Sequence, residues 1–202
     1  MRIGIDIDGV LTDIEQWQID YGSKYFYEQY KLGIKNYKGY ETYEIFDVDV
    51  KIDEEFWNIY FKDYSINSES RKFAGEVIDK LKKDGHEIYI ITARGSFLSH
   101  SSDVMSIDEN KSIVLNWLKN NGINYDKIIF SPEEKLEICK ENSVDLMIED
   151  KPKNINEIST KIPVICFHAN YNEECKGENI YRCYSWYDIY NLIKGDGICK
   201  RK

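Results

Sequence analysis

The sequence predicts an α/β fold in which a parallel sheet is covered by helices on both faces. Short apolar strands alternate with helical segments over most of the chain, and this alternation is typical of parallel sheets with both faces buried. The predicted strands cover residues 2–7, 86–91, 127–130, 144–148 and 162–167. Because ligands of such sheets bind beyond the carboxyl ends of the strands, the residues that follow each strand are the first candidates for function.

Apolar spacing and end signals predict the helices between these strands. Apolar residues between 73 and 81 recur at helical spacing, and Gly85 is a natural C-terminal stop. A second helix carries apolar residues from 113 to 118 and stops at 121–122. The Ser-Pro-Glu-Glu run at 131–134 combines a Ser cap, Pro at the first helical position and Glu at the capping-box position, so it predicts the start of a third helix.

The stretch 14–66 interrupts the alternation. It is aromatic, polar and irregular, with helices predicted around 14–31 and 53–63 and a loop between them. We therefore predict an insertion after the first strand. The predicted domains are a core made of residues 1–13 and 67–202, and a helical cap made of residues 14–66.

Composition limits the possible partners and the compartment. A net charge of −9 argues against a broad nucleic-acid-binding face, although a small anionic substrate needs only one or two cations and a metal. No targeting segment is seen, and no apolar run approaches the ~18 residues of a membrane span, so no membrane partner is expected. The five scattered cysteines fit no familiar zinc spacing and are typical of reduced thiols, which predicts a cytoplasmic protein. The oligomeric state stays open.

Pairs of acids follow two of the predicted strands. Asp6 and Asp8 come at the end of the first strand, and Glu149 and Asp150 follow the fourth. Each pair alone is also compatible with a solvated turn in which a carboxylate caps the backbone. Four carboxylates at one sheet edge would repel one another without a cation, and hard oxygen ligands favour Mg²⁺.

Polar and cationic residues follow two other strands. Thr92 and Arg94 place a hydroxyl and a guanidinium at the end of the second strand, a combination that binds phosphate oxygens well. Lys135 lies in the predicted first turn of a helix, where a cation opposes the helix macrodipole unless an anion lies nearby. The alternative for Lys135 is a solvated surface lysine.

Together and in this order, these residues resemble the haloacid dehalogenase superfamily of aspartyl phosphotransferases. The Asp-Ile-Asp-Gly-Val-Leu-Thr run at 6–12 matches the first of its four motifs, and Thr92, Lys135 and the Glu-Asp pair at 149–150 match the others. The opening Arg-Ile-Gly-Ile-Asp-Ile-Asp-Gly is similar to the small 5′-nucleotidase branch, which includes the 5′(3′)-deoxyribonucleotidases. Those enzymes carry Thr-Ser-Pro where this chain has Thr-Ala-Arg at 92–94, which leaves the substrate open.

The resemblance implies a role for each residue. Asp6 would attack phosphorus to form an aspartyl-phosphate, and Asp8 would be the general acid and then the base. Thr92 and Lys135 would hold the transferring phosphoryl oxygens. Mg²⁺ would be bound by Asp6, by the backbone carbonyl of Asp8 and by Asp150, with Glu149 as a direct or outer ligand.

The resemblance implies a phosphatase, and it implies a Rossmann-like fold for the core. We expect a Mg²⁺-dependent phosphomonoester hydrolase acting on nucleoside 5′-monophosphates, with Arg94, Phe46 and Tyr43 in contact with the substrate. Most other cap aromatics are expected to form the core of the cap. One alternative is a phosphatase of a sugar phosphate or surface-polymer precursor, and another is a non-catalytic protein that binds a phosphorylated metabolite. The loop 95–106 is interpreted either as a segment that orders over substrate or as a plain surface loop.

Overall fold

A six-stranded parallel sheet forms the centre of the computed structural model, which describes residues 1–95, 105–131 and 134–195. The strand order is β3-β2-β1-β4-β5-β6, and every neighbouring pair is parallel. The strands are β1 (Arg2–Ile5), β2 (Glu87–Thr92), β3 (Lys127–Phe130), β4 (Leu146–Glu149), β5 (Val164–Phe167) and β6 (Ile180–Cys183). The predicted α/β class is confirmed.

The position of β1 decides where a site can form. It lies between β2 and β4, with Ile5 paired to Ile90 on one side and to Ile148 on the other. Strands β2 and β3 lie on one side of β1, and β4, β5 and β6 lie on the other, so the order in which the chain adds strands reverses at β1. This reversal leaves a crevice at the carboxyl ends of the three central strands, where the acids of the sequence are found.

Eight α-helices lie within the described residues: five pack on the sheet and three form the insertion. They are α1 (Ile14–Tyr30), α2 (Thr42–Phe46), α3 (Val50–Asn67), α4 (Ala74–Lys83), α5 (Ile107–Asn120), α6 (Lys135–Glu141), α7 (Pro152–Ile158) and α8 (Trp186–Lys194). Buried residues of α4, α5 and α8 form one apolar cluster with β1, and residues of α6 and α7 form another on the opposite face. The sheet is therefore buried on both faces, as the near-continuous apolar strands require. No helix in the described part of the chain has both the length and the apolar character needed to cross a membrane.

Two details of the core differ from the sequence prediction. The edge strand β6 was not predicted, because its half-buried residues include Arg182 and give no clear apolar alternation. Helix α6 begins at Lys135, not at the Ser-Pro-Glu-Glu run, because Glu134 has a left-handed backbone with φ 59°. Residues 132 and 133 of that run lie outside the described residues.

The insertion after β1 has an apolar cluster of its own. Helices α1 to α3 lie in the chain between β1 and α4, and their buried cluster contains Tyr25, Phe26, Ile45, Phe46, Phe56, Trp57 and Tyr64. The loop predicted in its middle contains α2, which begins with a reciprocal capping box between Glu41 and Glu44. The exact division between core and cap stays a prediction, and we use "cap" below for α1, α2 and α3.

Phe46, one of the predicted substrate contacts, lies in the apolar cluster of the cap. It is the last residue of α2, it is fully buried, and its ring lies 4.6 Å from the ring of Phe26. A Cβ at Gly22 would lie 2.9 Å from Phe46 Cζ, so the ring also packs tightly against the backbone of α1. Phe46 is therefore a core residue of the cap, and its contact with substrate stays a prediction.

Candidate active site

Lys135 joins the acidic ends of β1 and β4. Its Nζ lies 2.8 Å from Oδ2 of Asp6 and 2.7 Å from Oε2 of Glu149. The lysine is only 5% exposed, so this is a buried cation between two carboxylates and not a solvated surface lysine. Burial opposes its charge, but Asp6 and Glu149 outweigh that effect and raise its pKa. Lys135 therefore stays protonated beside Asp6.

The Glu149 carboxylate is held by hydrogen bonds on both oxygens. Its Oε1 accepts from the backbone N–H of Asp150 at 3.1 Å and of Lys151 at 3.0 Å. Its Oε2 accepts from Lys135 and from Nδ2 of Asn154, the latter at 3.3 Å. With this many donors, Glu149 is suited to orienting Lys135, and burial that raises its pKa is outweighed by Lys135, which lowers it.

Asp150 differs from Glu149 because one of its oxygens is left over. Its Oδ2 accepts from the hydroxyl of Tyr171, and its backbone carbonyl accepts from Nδ2 of Asn172 at 2.8 Å. Within the described residues, Oδ1 is buried and has no hydrogen-bond partner. Gly9 lies directly against the same carboxylate: a Cβ there would lie 2.9 Å from Oδ1 and closer still to Cγ and Oδ2. A buried carboxylate oxygen without a partner is costly unless it binds a ligand.

The three acids fit a hard divalent cation. Asp6, Glu149 and Asp150 each offer an oxygen within 4.8 Å of the others. Burial raises the pKa of Asp6 to about 7, with Lys135 lowering it and Glu149 adding to the rise. Burial and the charges of Glu149 and Asp6 also raise the pKa of Asp150. These carboxylate oxygens repel one another when ionised, and Oδ1 of Asp150 has no hydrogen-bond partner among the described residues. Such a site suits Mg²⁺.

Asp8 is held at a separate position by Arg94 and Tyr64. Its Oδ2 accepts from Nε of Arg94 at 3.2 Å, and its Oδ1 accepts from Nη2 of the same guanidinium. Oδ1 also accepts from the hydroxyl of Tyr64 at 2.5 Å. Burial alone would raise the pKa of Asp8, but the Arg94 charge and these hydrogen bonds lower it. Asp8 is thus an oriented carboxylate next to the nucleophile candidate.

Thr92 ends β2 on the other side of β1. The residue is fully buried, and its Oγ1 accepts from the backbone N–H of Arg94 at 3.0 Å. A threonine hydroxyl that accepts one bond still has its own proton to donate. Thr92 is therefore able to donate to a phosphoryl oxygen in the crevice.

The cap contacts the site through residues that the sequence did not single out as site residues. Tyr64 of α3 reaches Asp8, and the ring of Tyr40 meets the ring of Tyr171 edge-on at 5.0 Å. Lys151 lies 4.6 Å above the Tyr40 ring, and its Nζ is 3.9 Å from Glu41. Tyr171 donates to Asp150, and burial together with the nearby Asp150 charge raises the pKa of both Tyr40 and Tyr171. The one available signal was the density of aromatics in the cap, and it does not say which of them face the site.

The remaining predicted residues stay predictions. Tyr43 is half-exposed on α2, and the charges that raise its pKa, besides burial, are Glu44, Glu41 and Asp53 of the cap itself. The guanidinium of Arg94 is paired with Asp8. Its contact with a phosphate stays a prediction. Residues 96–104 of the loop after β2 lie outside the described residues.

Comparison with known proteins bears directly on this site. Residues 1–199 match the model of the family described as 5′ nucleotidase, deoxy (pyrimidine), cytosolic type C protein. A nucleotidase of Clostridium acetobutylicum is 29% identical over 197 residues, which cover 96% of this chain and 93% of that protein.

Solved structures share the fold. A predicted phosphoglycolate phosphatase of Haemophilus somnus superposes with a TM-score of 0.61 at 15% identity, covering 95% of this chain and 96% of that one. A D,D-heptose 1,7-bisphosphate phosphatase of B. bronchiseptica, complexed with magnesium and phosphate, has a TM-score of 0.54 at 10% identity and covers 96% and 98% of the two chains. The family match spans nearly the whole chain and agrees with the acids, threonine and lysine at the sheet edge: the chain belongs to the cytosolic type C 5′-nucleotidase family of haloacid dehalogenase-like phosphatases.

Proposed function

We propose that this phosphatase hydrolyses nucleoside 5′-monophosphates through an aspartyl-phosphate on Asp6 and requires Mg²⁺. The observation that carries the proposal is the buried Asp6–Lys135–Glu149 bridge beside the unpaired oxygen of Asp150. It supplies a nucleophile, a fixed cation and a ligand for a second cation at one sheet edge. A phosphate dianion approaches a carboxylate only where such cations offset the repulsion.

In the first step, an oxygen of Asp6 attacks phosphorus in line with the ester oxygen. The P–O bond to the leaving group breaks as the bond to Asp6 forms, and Asp8, which has first taken up a proton from solvent, gives that proton to the departing alkoxide. Lys135 and the hydroxyl of Thr92 bind the phosphoryl oxygens that carry the charge. Asp8, now ionised, then takes a proton from water as the water attacks phosphorus, which releases inorganic phosphate and regenerates Asp6.

The metal would be held by Asp6, the backbone carbonyl of Asp8 and Asp150. When bound, Mg²⁺ supplies positive charge that lets the carboxylate nucleophile approach the phosphate. Glu149 accepts four hydrogen bonds, so it would be an outer ligand of the metal and act on the site through Lys135. The magnesium and phosphate bound by the B. bronchiseptica heptose bisphosphatase, which has the same fold, support this choice of metal.

The substrate class rests on the family and on the nucleotidase relative. Both support a nucleoside monophosphate over the sugar phosphate or polymer precursor that shares the same catalytic residues. A protein that only binds a phosphorylated metabolite has no need of an oriented carboxylate at the position of Asp8. The orientation of Asp8 by Arg94 and Tyr64 therefore supports catalysis. We also propose a cytoplasmic location, which the four buried free thiols of the described residues support.

The test is a panel of phosphate esters assayed for release of inorganic phosphate. Purified protein is offered ribo- and deoxyribonucleoside 5′-monophosphates, sugar phosphates and phosphorylated lipid head groups, with Mg²⁺ and with EDTA. We expect release from nucleotides with Mg²⁺, and none with EDTA or from Asp6→Asn. Asp145→Asn, an exposed residue at the other end of β4, is the matched control and is expected to keep the activity. Faster release from a sugar phosphate would overturn the substrate, and an active Asp6→Asn would overturn the mechanism.

A further inference from the structure

Tyr64 connects the last cap helix to the carboxylate of Asp8. It lies near the end of α3, its side chain is buried, and its ring packs 4.8 Å from the ring of Trp17. The guanidinium of Arg94 lies 4.8 Å from the centre of the same ring. The ring is thus fixed between the cap and the core, and its hydroxyl is carried to a defined point.

At that point the hydroxyl meets two oxygens. One is Oδ1 of Asp8 at 2.5 Å, and the other is Oγ1 of Thr12 at 2.9 Å. An ionised carboxylate has no proton, so the Tyr64 proton is donated to Asp8. Thr12 follows β1 by a few residues and lies at the base of the cap. The Tyr64 hydroxyl therefore lies where the segment from Asp8 to Thr12 meets the cap.

Two groups restrict the orientation of the Asp8 carboxylate. Arg94 binds both oxygens as a fork from the core, and Tyr64 binds Oδ1 from α3. Among the hydrogen bonds to Asp8 in the described part of the chain, the bond from Tyr64 is the one that comes from the cap. A short charge-assisted bond from the buried Tyr64 restricts rotation of the Asp8 side chain.

We propose that Tyr64 is a positioning residue for Asp8, and that its hydroxyl fixes the Asp8 carboxyl group in the orientation from which, once Asp8 has taken up a proton, it protonates the leaving oxygen. The inference rests on the proposed function and makes α3 a part of the catalytic machinery, not only a cover over it. Proton transfer in the first step then depends on where α3 lies. Tyr64 touches no substrate atom in this role, and it acts through Asp8.

A purely structural role for Tyr64 predicts something different. If the ring only packs the cap, Tyr64→Phe keeps the contacts with Trp17 and Arg94 and loses no activity. If the variant loosens the whole site, every ester suffers alike. A positioning role predicts a loss that depends on how much the leaving group needs a proton, because a poor alkoxide needs one and a nitrophenolate does not.

The experiment compares two esters in single-turnover reactions with enzyme in excess and Mg²⁺ saturating. One is a nucleoside 5′-monophosphate and the other is p-nitrophenyl phosphate, and the rate of leaving-group release is measured for each. This rate reports the first step alone, so the second role of Asp8 as base does not enter. For Tyr64→Phe we expect a loss of about tenfold to a hundredfold with the nucleotide and less than about threefold with the nitrophenyl ester, a part of the 10²–10⁴ that a general acid contributes.

Controls separate this inference from the function on which it rests. Tyr60→Phe, one turn earlier on α3 and packed against Tyr25 and Phe56, is expected to keep both rates. The affinity of Tyr64→Phe for Mg²⁺, measured by calorimetry, is expected to equal that of the unaltered protein, which shows that the site is intact. Equal losses with both esters, or no loss with either, would overturn the positioning role alone. An unaltered protein that releases neither leaving group would overturn the proposed function as well.

Discussion

Replacing Gly9 with alanine places a methyl group where the Asp150 carboxylate lies. Gly9 has a left-handed backbone with φ +78°, and the added Cβ would lie 2.9 Å from Oδ1 of Asp150 and nearer to the rest of the carboxylate. Asp150 has no room to retreat, because Tyr171 and Asn172 hold its side chain and backbone. The substitution therefore carries two costs, one from the backbone and one from the overlap.

The magnitudes of the two costs differ in origin and can be separated. The left-handed conformation costs a non-glycine residue roughly 1–2 kcal/mol, and overpacking of a buried site costs about 1–3 kcal/mol more. We expect Gly9→Ala to lower the free energy of unfolding by about 2–5 kcal/mol, the sum of these ranges. Gly85→Ala is the matched control, because Gly85 has φ +87° but no atom of the described residues within 4 Å of its Cβ position. It is expected to pay the backbone cost alone.

Urea unfolding at equilibrium measures both variants, and calorimetry measures their affinity for Mg²⁺. Gly9→Ala is expected to be the less stable of the two and to bind Mg²⁺ more weakly, since the displaced Asp150 is a proposed ligand. Gly85→Ala is expected to bind Mg²⁺ normally. Equal losses of stability with unchanged Mg²⁺ affinity in both variants would refute the close contact between Gly9 and Asp150.

Three further changes test the electrostatics of the protein. Burial raises the pKa of Asp53 to about 7, so folding is favoured below the unfolded-state pKa of about 4 and this contribution is lost as the pH rises through about 7. Asp53→Asn should therefore raise the free energy of unfolding in urea by about 2–4 kcal/mol at pH 8 and leave it unchanged near pH 4; an equal effect at both pH values would contradict this. Tyr171→Phe removes the donor to Asp150 and should raise the Kd for Mg²⁺ about tenfold in calorimetry, whereas an unchanged Kd would show that the hydroxyl does not orient the ligand. Lys135→Met leaves Asp6 without its buried cation and should cost about 3–5 kcal/mol of stability in metal-free urea unfolding at pH 8, and a stable variant would count against the buried bridge.

The core and its acids were predictable because each signal is local in the sequence. An apolar strand that ends in carboxylates is visible in six to eight residues, and parallel strands bring such ends to one edge. This is why the sequence predicts that Asp6, Glu149 and Asp150 lie close together at one edge of the sheet. The edge strand β6 has no such signal, because Arg182 interrupts its apolar pattern to donate hydrogen bonds to the loop carbonyls of Asn172 and Cys175.

The cap was less predictable, because contacts between residues far apart in sequence decide which side of each cap helix is buried. Phe46 is placed in the cap cluster by the short helix α2, which the sequence pattern does not predict. The contact of Tyr64 with Asp8 gives no signal in the sequence, because the two residues are 56 positions apart. Aromatic content predicts that a cap has a core, but it does not identify which tyrosine hydroxyl binds a carboxylate of the site.

The central claim is that Asp6 carries the phosphoryl group during hydrolysis. The most direct measurement is to quench the enzyme with acid during turnover of a nucleoside 5′-monophosphate, to reduce the acyl-phosphate with borohydride, and to sequence the N-terminal peptide by mass spectrometry. The account predicts homoserine at position 6, aspartate still at position 8, and neither change in a sample without substrate. Hydrolysis of the nucleotide with no reduced residue at position 6, or with the label at position 8, would contradict it.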